Sequence, residues 1–399
     1  MLISWKSRNF AENILDMTTL KIKNIGPLRE VFLELKRFNF FIGRQSSGKS
    51  TIAKIISFCT WVEKDIQTHP NLQNNIKSHE SLFIKELEDF HCMHGYFRDD
   101  SFLEYISDYV TIKFENQKCS IKISAKKTYE RIKVLYIPAE RMIAAWNNME
   151  VNTKQMAVKD FLVDFDSARD FYPYKKRIEL ADLGITYYQE KNSDGKPINK
   201  VTSSFEGSAY DIELDDASSG LQSMTPIVVS VDFYSGRFYH KNVESITLSV
   251  AQERDRKEVK NYLQKNSNDP KVAELRIERL LESKRTNFVV EEPELNLFPT
   301  TQRNLLNFLV ACCNKRRKHS LTITTHSPYI INQLNLLLKA YDKDKKIDNA
   351  SINFDELNVY IVQNGTIQDL KIKNEGVHII NTENLSDDIN DIYDIYEKL

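Results

Sequence analysis

Gly43-Arg44-Gln45-Ser46-Ser47-Gly48-Lys49-Ser50-Thr51 follows directly on the apolar run Phe38-Asn39-Phe40-Phe41-Ile42. Its spacing, G-x-x-x-x-G-K-[ST], suits the cradling of phosphate groups. The glycines free the backbone to turn successive N–H groups inward. Lys49 would reach the outer phosphate oxygens and the Ser50 hydroxyl would ligate Mg²⁺. An alternating stretch leads in, and Ser50 to Lys64 follows with apolar residues at helical spacing. The phosphates would therefore rest on a helix N-terminus.

Three further stretches carry chemistry only in company. The first, Asn287-Phe-Val-Val290, reads as a buried strand ending in Glu291-Glu292. A carboxylate at such a strand tip holds Mg²⁺ through its water shell, a role for Glu291. The next carboxylate, Glu292, can orient or deprotonate an attacking water. Taken alone, the pair equally suits a strand end followed by an acidic helix cap at Pro293. The second, Leu321-Thr-Ile-Thr-Thr325, is another strand with His326 at its carboxyl edge, where ligands of open α/β sheets bind. A lone histidine there is also an ordinary structural residue. The third, Ala217-Ser218-Ser219-Gly220-Leu221-Gln222, opens a helix. Ser219 and Gly220 could offer a hydroxyl and N–H groups to a phosphate, or Ser218 or Ser219 could simply cap the helix.

The elements that position these residues alternate between strand and helix patterns, which argues an α/β core with insertions. Residues 61–108 read as helical and polar, 109–124 as two strands about Glu115 to Lys118, and Arg131 to Ile137 as a strand ending at Pro138. Residues 140–172 read as helical and 173–205 as hairpins around Asn192 to Pro197. The expected divisions are an N-terminal extension (1–17), a first lobe with the phosphate loop (18–141), a helical and hairpin insertion (142–215), a second lobe (216–370) and an acidic amphipathic tail (371–399). In the tail Leu385, Ile389, Ile392, Tyr393, Tyr396 and Leu399 share a helical face, which either packs on its own domain or docks a partner.

The chain of 399 residues has a net charge of −1, which gives no global electrostatic case for nucleic acid. The basic run Lys315-Arg316-Arg317-Lys318 could touch nucleic acid or complement the dipole of the preceding helix. Five cysteines show neither disulfide nor zinc spacing, and His91-Cys92-Met93-His94 holds too few ligands for a metal site of its own. No apolar run approaches a membrane span and no leader pattern opens the chain, so a cytoplasmic protein with no membrane partner is expected.

Together and in this order, "IKNIGPL…FNFFIGRQSSGKST", "YIPAER", "ASSGLQS", "VVEEPELNLFP" and "TTHSPYIINQL" resemble the motif set of ABC-type ATPase heads of the RecF, SMC and Rad50 kind. They are most similar to OLD-like ATPases ("overcoming lysogenization defect"). The resemblance implies a two-lobed P-loop head that binds ATP and Mg²⁺ and pairs with a second copy. Gly43 to Thr51 would hold the nucleotide, with Ser50 and Glu291 on the metal. Glu292 would be the catalytic carboxylate and His326 the switch histidine, while Ser219, Gly220 and Gln222 would act on nucleotide held by the partner head. Glu291 stands where aspartate is common, and Leu221 where a second glycine is. The glutamine usual between the lobes is not evident, and Glu140 or Arg141 of Pro138–Met142 would stand in for it. OLD proteins continue into a TOPRIM nuclease, and the stretch after Leu334 is too short for one. The chain thus resembles the ATPase subunits of two-gene phage-defence systems such as PARIS or Septu. That implies a slow ATPase serving a separate TOPRIM- or HNH-type effector, with DNA or a phage protein as trigger. The alternative resemblance is to a RecF-like repair ATPase that binds DNA itself.

Overall fold

The computed structural model describes residues 18–68, 72–124, 129–146, 154–203, 209–239, 282–315, 317–374, 377–382 and 395–396. The N-terminal extension, the charged stretch from 251 to 281, Arg316 and most of the acidic tail lie outside these residues.

A six-stranded sheet organises the chain. It contains β3 (Phe38–Ile42), β7 (Ile132–Ile137), β12 (Arg285–Glu291), β13 (Ser320–Thr325), β14 (Leu357–Gln363) and β15 (Thr366–Asp369), in the order β15-β14-β3-β13-β12-β7. All neighbours run parallel except the hairpin pair β14 and β15. Every residue of β3 is buried, as a parallel strand covered on both faces requires. Its side chains alternate between two cores. Phe38, Phe40 and Ile42 join a cluster with α3 (Met156–Arg169), α4 (Ser219–Ser235), α5 (Pro299–Cys313) and α6 (Pro328–Asp342), whereas Phe41 joins the opposite cluster.

That opposite core holds α1 (Lys49–Thr68), α2 (Leu72–His91) and a five-stranded antiparallel sheet. The sheet orders β1 (Thr18–Ile25), β2 (Leu28–Leu35), β4 (Phe97–Ile106), β5 (Val110–Glu115) and β6 (Lys118–Ile123) as β2-β1-β4-β5-β6. The expectation of helix through residue 108 fails at β4. There Ser101, Leu103 and Tyr105 turn inward at every second position, a strand period that the polar residues before them mask. A smaller antiparallel sheet, β8 (Ile178–Glu179), β9 (Ile185–Lys191), β10 (Pro197–Ser203) and β11 (Tyr210–Glu213), forms the expected hairpin region, with Gly195 at positive φ in its turn. The hairpin of β16 (Lys371–Asn374) and β17 (Val377–Ile380) docks on α6, where the Asn335 amide bonds both backbone groups of Ile380.

Two buried polar clusters fasten helices to this frame. Lys133 on β7 reaches both Asp164 oxygens of α3 at 2.7 Å, and Tyr234 of α4 donates to the same carboxylate at 2.9 Å. His79 of α2, 3% exposed, lies between Asp65 of α1 at 2.9 Å and Glu86 at 2.8 Å. Burial lowers its affinity for a proton, but the two carboxylates outweigh this and push its pKa up to about 9.

The unfolded chain returns His79 to its ordinary value of 6.5, so the imidazolium adds stability below that pH and loses it as pH rises through 9. The full linkage is on the order of 3 kcal/mol. We expect denaturant midpoints to fall between pH 7 and pH 10 in the native chain and to fall less in His79→Gln. Equal pH slopes for the two proteins would contradict the assignment.

Candidate functional site

The phosphate loop spans the gap between the end of β3 and the start of α1. Ser46 at φ 57° and Gly48 at φ 109° turn it into a concave strip of backbone. A Cβ on Gly48 would stand 2.3 Å from the Leu28 side chain, and one on Gly43 the same distance from the Val362 carbonyl oxygen. Glycine is therefore required twice by close approach. The loop opens on a cavity of about 610 Å³ lined by Gln45, Ser46, Ser47, Gly48, Lys49, Ser50 and Thr51 together with Glu292 and His326. Lys49, 3% exposed, donates to the carbonyls of Gly43 at 2.9 Å and Arg44 at 2.8 Å. Burial lowers its pKa, opposed by Glu292, Glu294 and Glu291.

Strand order assembles the rest. Because β13 lies between β3 and β12, Thr325 pairs with Ile42 on one side and Thr324 with Glu291 on the other. The three carboxyl ends thus form one rim. Glu292 leaves the strand at φ 43°, an uncommon conformation for a non-glycine residue, and its N–H donates to the Thr324 carbonyl at 2.8 Å. His326 Nε2 stands 3.3 Å from Glu292 Oε1, and Nδ1 stands 3.5 Å from Lys49 Nζ. The imidazole thus lies between the Lys49 ammonium and the Glu292 carboxylate. The His326 N–H donates to Glu294 Oε1 at 2.6 Å. The sequence reading passed over Glu294, although it stands two residues after Glu292.

Glu291 is 4% exposed, and its Oε1 lacks a hydrogen-bond partner. Burial raises its pKa, while Lys54, Tyr136 and the Ser50 hydroxyl pull it back. Ser50 lines the phosphate-loop cavity whereas Glu291 does not, but a hydroxyl beside an under-satisfied carboxylate matches the hard oxygen donors that Mg²⁺ takes. Ser50 and Glu291 would hold the ion, which supplies charge neutralisation for the phosphates when bound.

The helix-start motif occupies a different surface. Ser218 caps α4 and accepts from the Leu221 N–H, while Ser219 is exposed at the first position of that helix. Gly220 lies under the loop after β12, where a Cβ would come within 2.9 Å of the Asn296 carbonyl oxygen. Gln222 turns inward and donates to the carbonyls of Asp215 and Ala217. Ser219, Gly220 and Gln222 lie outside the lining of the phosphate-loop cavity.

Of Glu140 and Arg141, the two residues offered for the place of the missing glutamine, Arg141 is tied into the protein itself. It is fully buried and donates to the carbonyls of Pro138, Glu291, Glu292 and Ser223 and to Ser223 Oγ, at 2.7 to 3.2 Å. One guanidinium thereby joins the end of β7, the Glu-Glu turn and α4. Burial pulls its pKa down to about 10, against the field of Glu294, Glu292 and Glu291, so it stays charged. In the basic run, Lys315 pairs with Asp232, and Arg317 bonds the Lys284 carbonyl and stacks on Tyr239. His91 is buried against Phe90 and Tyr136, and His94 is exposed. Burial lowers the His91 pKa to about 3.

No family model and no curated protein matches the chain. Among solved structures it is similar to an SMC head domain from Thermotoga maritima, at 9% identity over 90% of this chain and 99% of that one, with a TM-score of 0.38. An SMC head bound to the C-terminal winged-helix domain of ScpA matches at 9% identity over 91% and 96%, with a TM-score of 0.39. A dimeric ATP-binding cassette in a post-hydrolysis state, bound to ADP and Pi, matches at 10% identity over 89% and 99%, with a TM-score of 0.32. The likeness is too loose to carry an argument. The α/β P-loop fold, with its mixed, mainly parallel sheet and antiparallel insertions, stands on strand order and loop geometry.

Arg141→Lys keeps the charge but loses the forked geometry that reaches several carbonyls at once. We expect destabilisation on the order of 3 kcal/mol in a denaturant titration. An unchanged midpoint would show that the junction is held by other contacts.

Proposed function

We propose that this chain is an ATP-binding and ATP-hydrolysing head that works in pairs, the nucleotide controlling whether two copies close on each other. The observation that carries this reading is the convergence of Lys49, Glu292 and His326 on one cavity, with the exposed start of α4 at Ser219 outside it. Lys49 supplies charge to the outer phosphates, and Glu292 accepts a proton from the attacking water. His326, held between them, reports on the γ-phosphate end. The Ser219 hydroxyl and the Ser219 and Gly220 N–H groups complete the anion shell of a second copy. Bound nucleotide then favours the closed pair, and hydrolysis releases it.

The finer reading rests on the motif resemblance. In it the pair is the sensor subunit of a phage-defence system, its closure holding or releasing a separate effector protein such as a nuclease. The intramolecular engagement of Lys315 and Arg317 favours this over direct DNA binding.

Lys49→Ala removes a charge-assisted contact and should weaken nucleotide binding 10- to 100-fold. Glu292→Gln should retain binding, lower turnover by about 100-fold or more, and trap a closed pair with MgATP. Native mass spectrometry reads both states. Glu292→Gln that stays monomeric at saturating MgATP would refute the pairing. A stoichiometric second protein retained from the host extract supports the sensor reading, and retained nucleic acid alone would replace it with a repair role.

A further inference from the structure

Beside Glu291 lies a small cavity of about 40 Å³ whose lining shares no residue with that of the phosphate-loop cavity. Glu291 shares its lining with Lys54 from α1, His91 from the last position of α2, Tyr136 from β7 and Glu140. Four buried polar atoms of these side chains lack a hydrogen-bond partner: Glu291 Oε1, Tyr136 Oη and both ring nitrogens of His91. Two such groups on one carboxylate's wall are uncommon, because each buried unsatisfied group costs about 1–3 kcal/mol. The His91 and Tyr136 rings meet edge to face, with centroids 4.7 Å apart. Tyr136 is 6% exposed and Glu291 4%, so bulk water does not satisfy either.

We propose that Tyr136 is a positioning residue for Glu291. Its hydroxyl donates to Oε1 once the carboxylate turns toward Mg²⁺, with His91 backing the tyrosine and so connecting α2 to the metal site. The inference rests on the assignment of Glu291 to the metal. A ligating carboxylate is aimed by whatever holds its other oxygen, and loss of such an outer partner costs 10- to 100-fold in metal affinity. Lys54 supplies charge to this wall, but a flexible ammonium fixes direction poorly. The phenol is fixed by its strand and by the His91 ring. Glutamate reaches one methylene farther than aspartate, which gives this chain's choice of Glu291 a physical reason: it spans from the Tyr136 hydroxyl to the ion.

The test uses the full chain and a fluorescent ATP analogue, with affinity measured in EDTA and in Mg²⁺. The readout is the ratio of the two dissociation constants. Tyr136→Phe removes one oxygen and leaves the ring packing intact. It should keep the EDTA affinity and lose about 10-fold of the Mg²⁺-dependent gain. Glu291→Asp withdraws the carboxylate from Tyr136 without touching the tyrosine and should lose a similar factor, which covers a failure of the first variant to fold. An unchanged ratio in either folded variant overturns the inference while leaving the ATPase reading intact. A native chain that binds the analogue in neither buffer overturns the ATPase reading itself.

Discussion

The Arg141 guanidinium is the contact on which the geometry of the site depends. A cation with no exposed surface is tolerable only if nearly every N–H finds an oxygen and the charge is balanced nearby. Five hydrogen bonds meet the first need, and Glu291, Glu292 and Glu294 meet the second. Because its acceptors are backbone carbonyls on both sides of the Glu-Glu turn, Arg141 constrains the chain path. It thereby helps hold Glu292 at positive φ, a conformation an isolated strand end would avoid. The same side chain grips Ser223, one turn into α4. The Glu291-Glu292 turn and the start of α4, which the proposed function assigns to a head's own nucleotide and to its partner's, are therefore fixed to one another.

The same rim surrounds Lys49. Three carboxylates crowd the rim, yet the ammonium donates to two loop carbonyls rather than forming a close ion pair. Its remaining approach is to His326, which in turn contacts Glu292. A phosphate entering the cavity exchanges the carbonyl contacts for stronger charge-assisted ones. Any shift of Lys49 then alters the environment of the His326 ring, and through it Glu292. Under the proposed function, nucleotide occupancy would reach Glu292 through two contacts.

What was legible in the sequence was whatever depends on residue type at short range. The phosphate loop needs Gly48 and Lys49 beside each other, and β3 needs five apolar or internally bonded residues in a row. The ends of β12 and β13 were visible as apolar runs closed by Glu291 and His326. What was hidden depends on distant partners. Arg141 meets Glu291 across 150 positions, so nothing in "PAERM" marks it as a buried tie. The inward hydrogen bonds of Gln222 to the Asp215 and Ala217 carbonyls were likewise not visible in its local sequence. The β4 strand was lost because Arg98, Asp99 and Asp100 stand where alternation should begin.

The α1–α2 pair is also more than an appendage to the loop. Helix α1 begins at Lys49 and Ser50 and runs 20 residues, about 30 Å, before Asp65 near its far end meets His79 of α2. The second helix, again 20 residues, runs back and ends at His91, against Tyr136 and the wall beside Glu291. The pair forms a closed circuit. It leaves the rim at Lys49, is clamped by the His79 carboxylate sandwich, and returns beside Glu291. Helices are stiff along their axes, and the sandwich resists sliding of one past the other. The outer end of this helix pair is therefore linked to both Lys49 and Glu291, whereas the smaller sheet of β8 to β11 packs in the opposite core. The core sheet lies between the two cores, which also touch where α1 and α2 pack against the start of α3 at Ala53, Phe90 and Ala157.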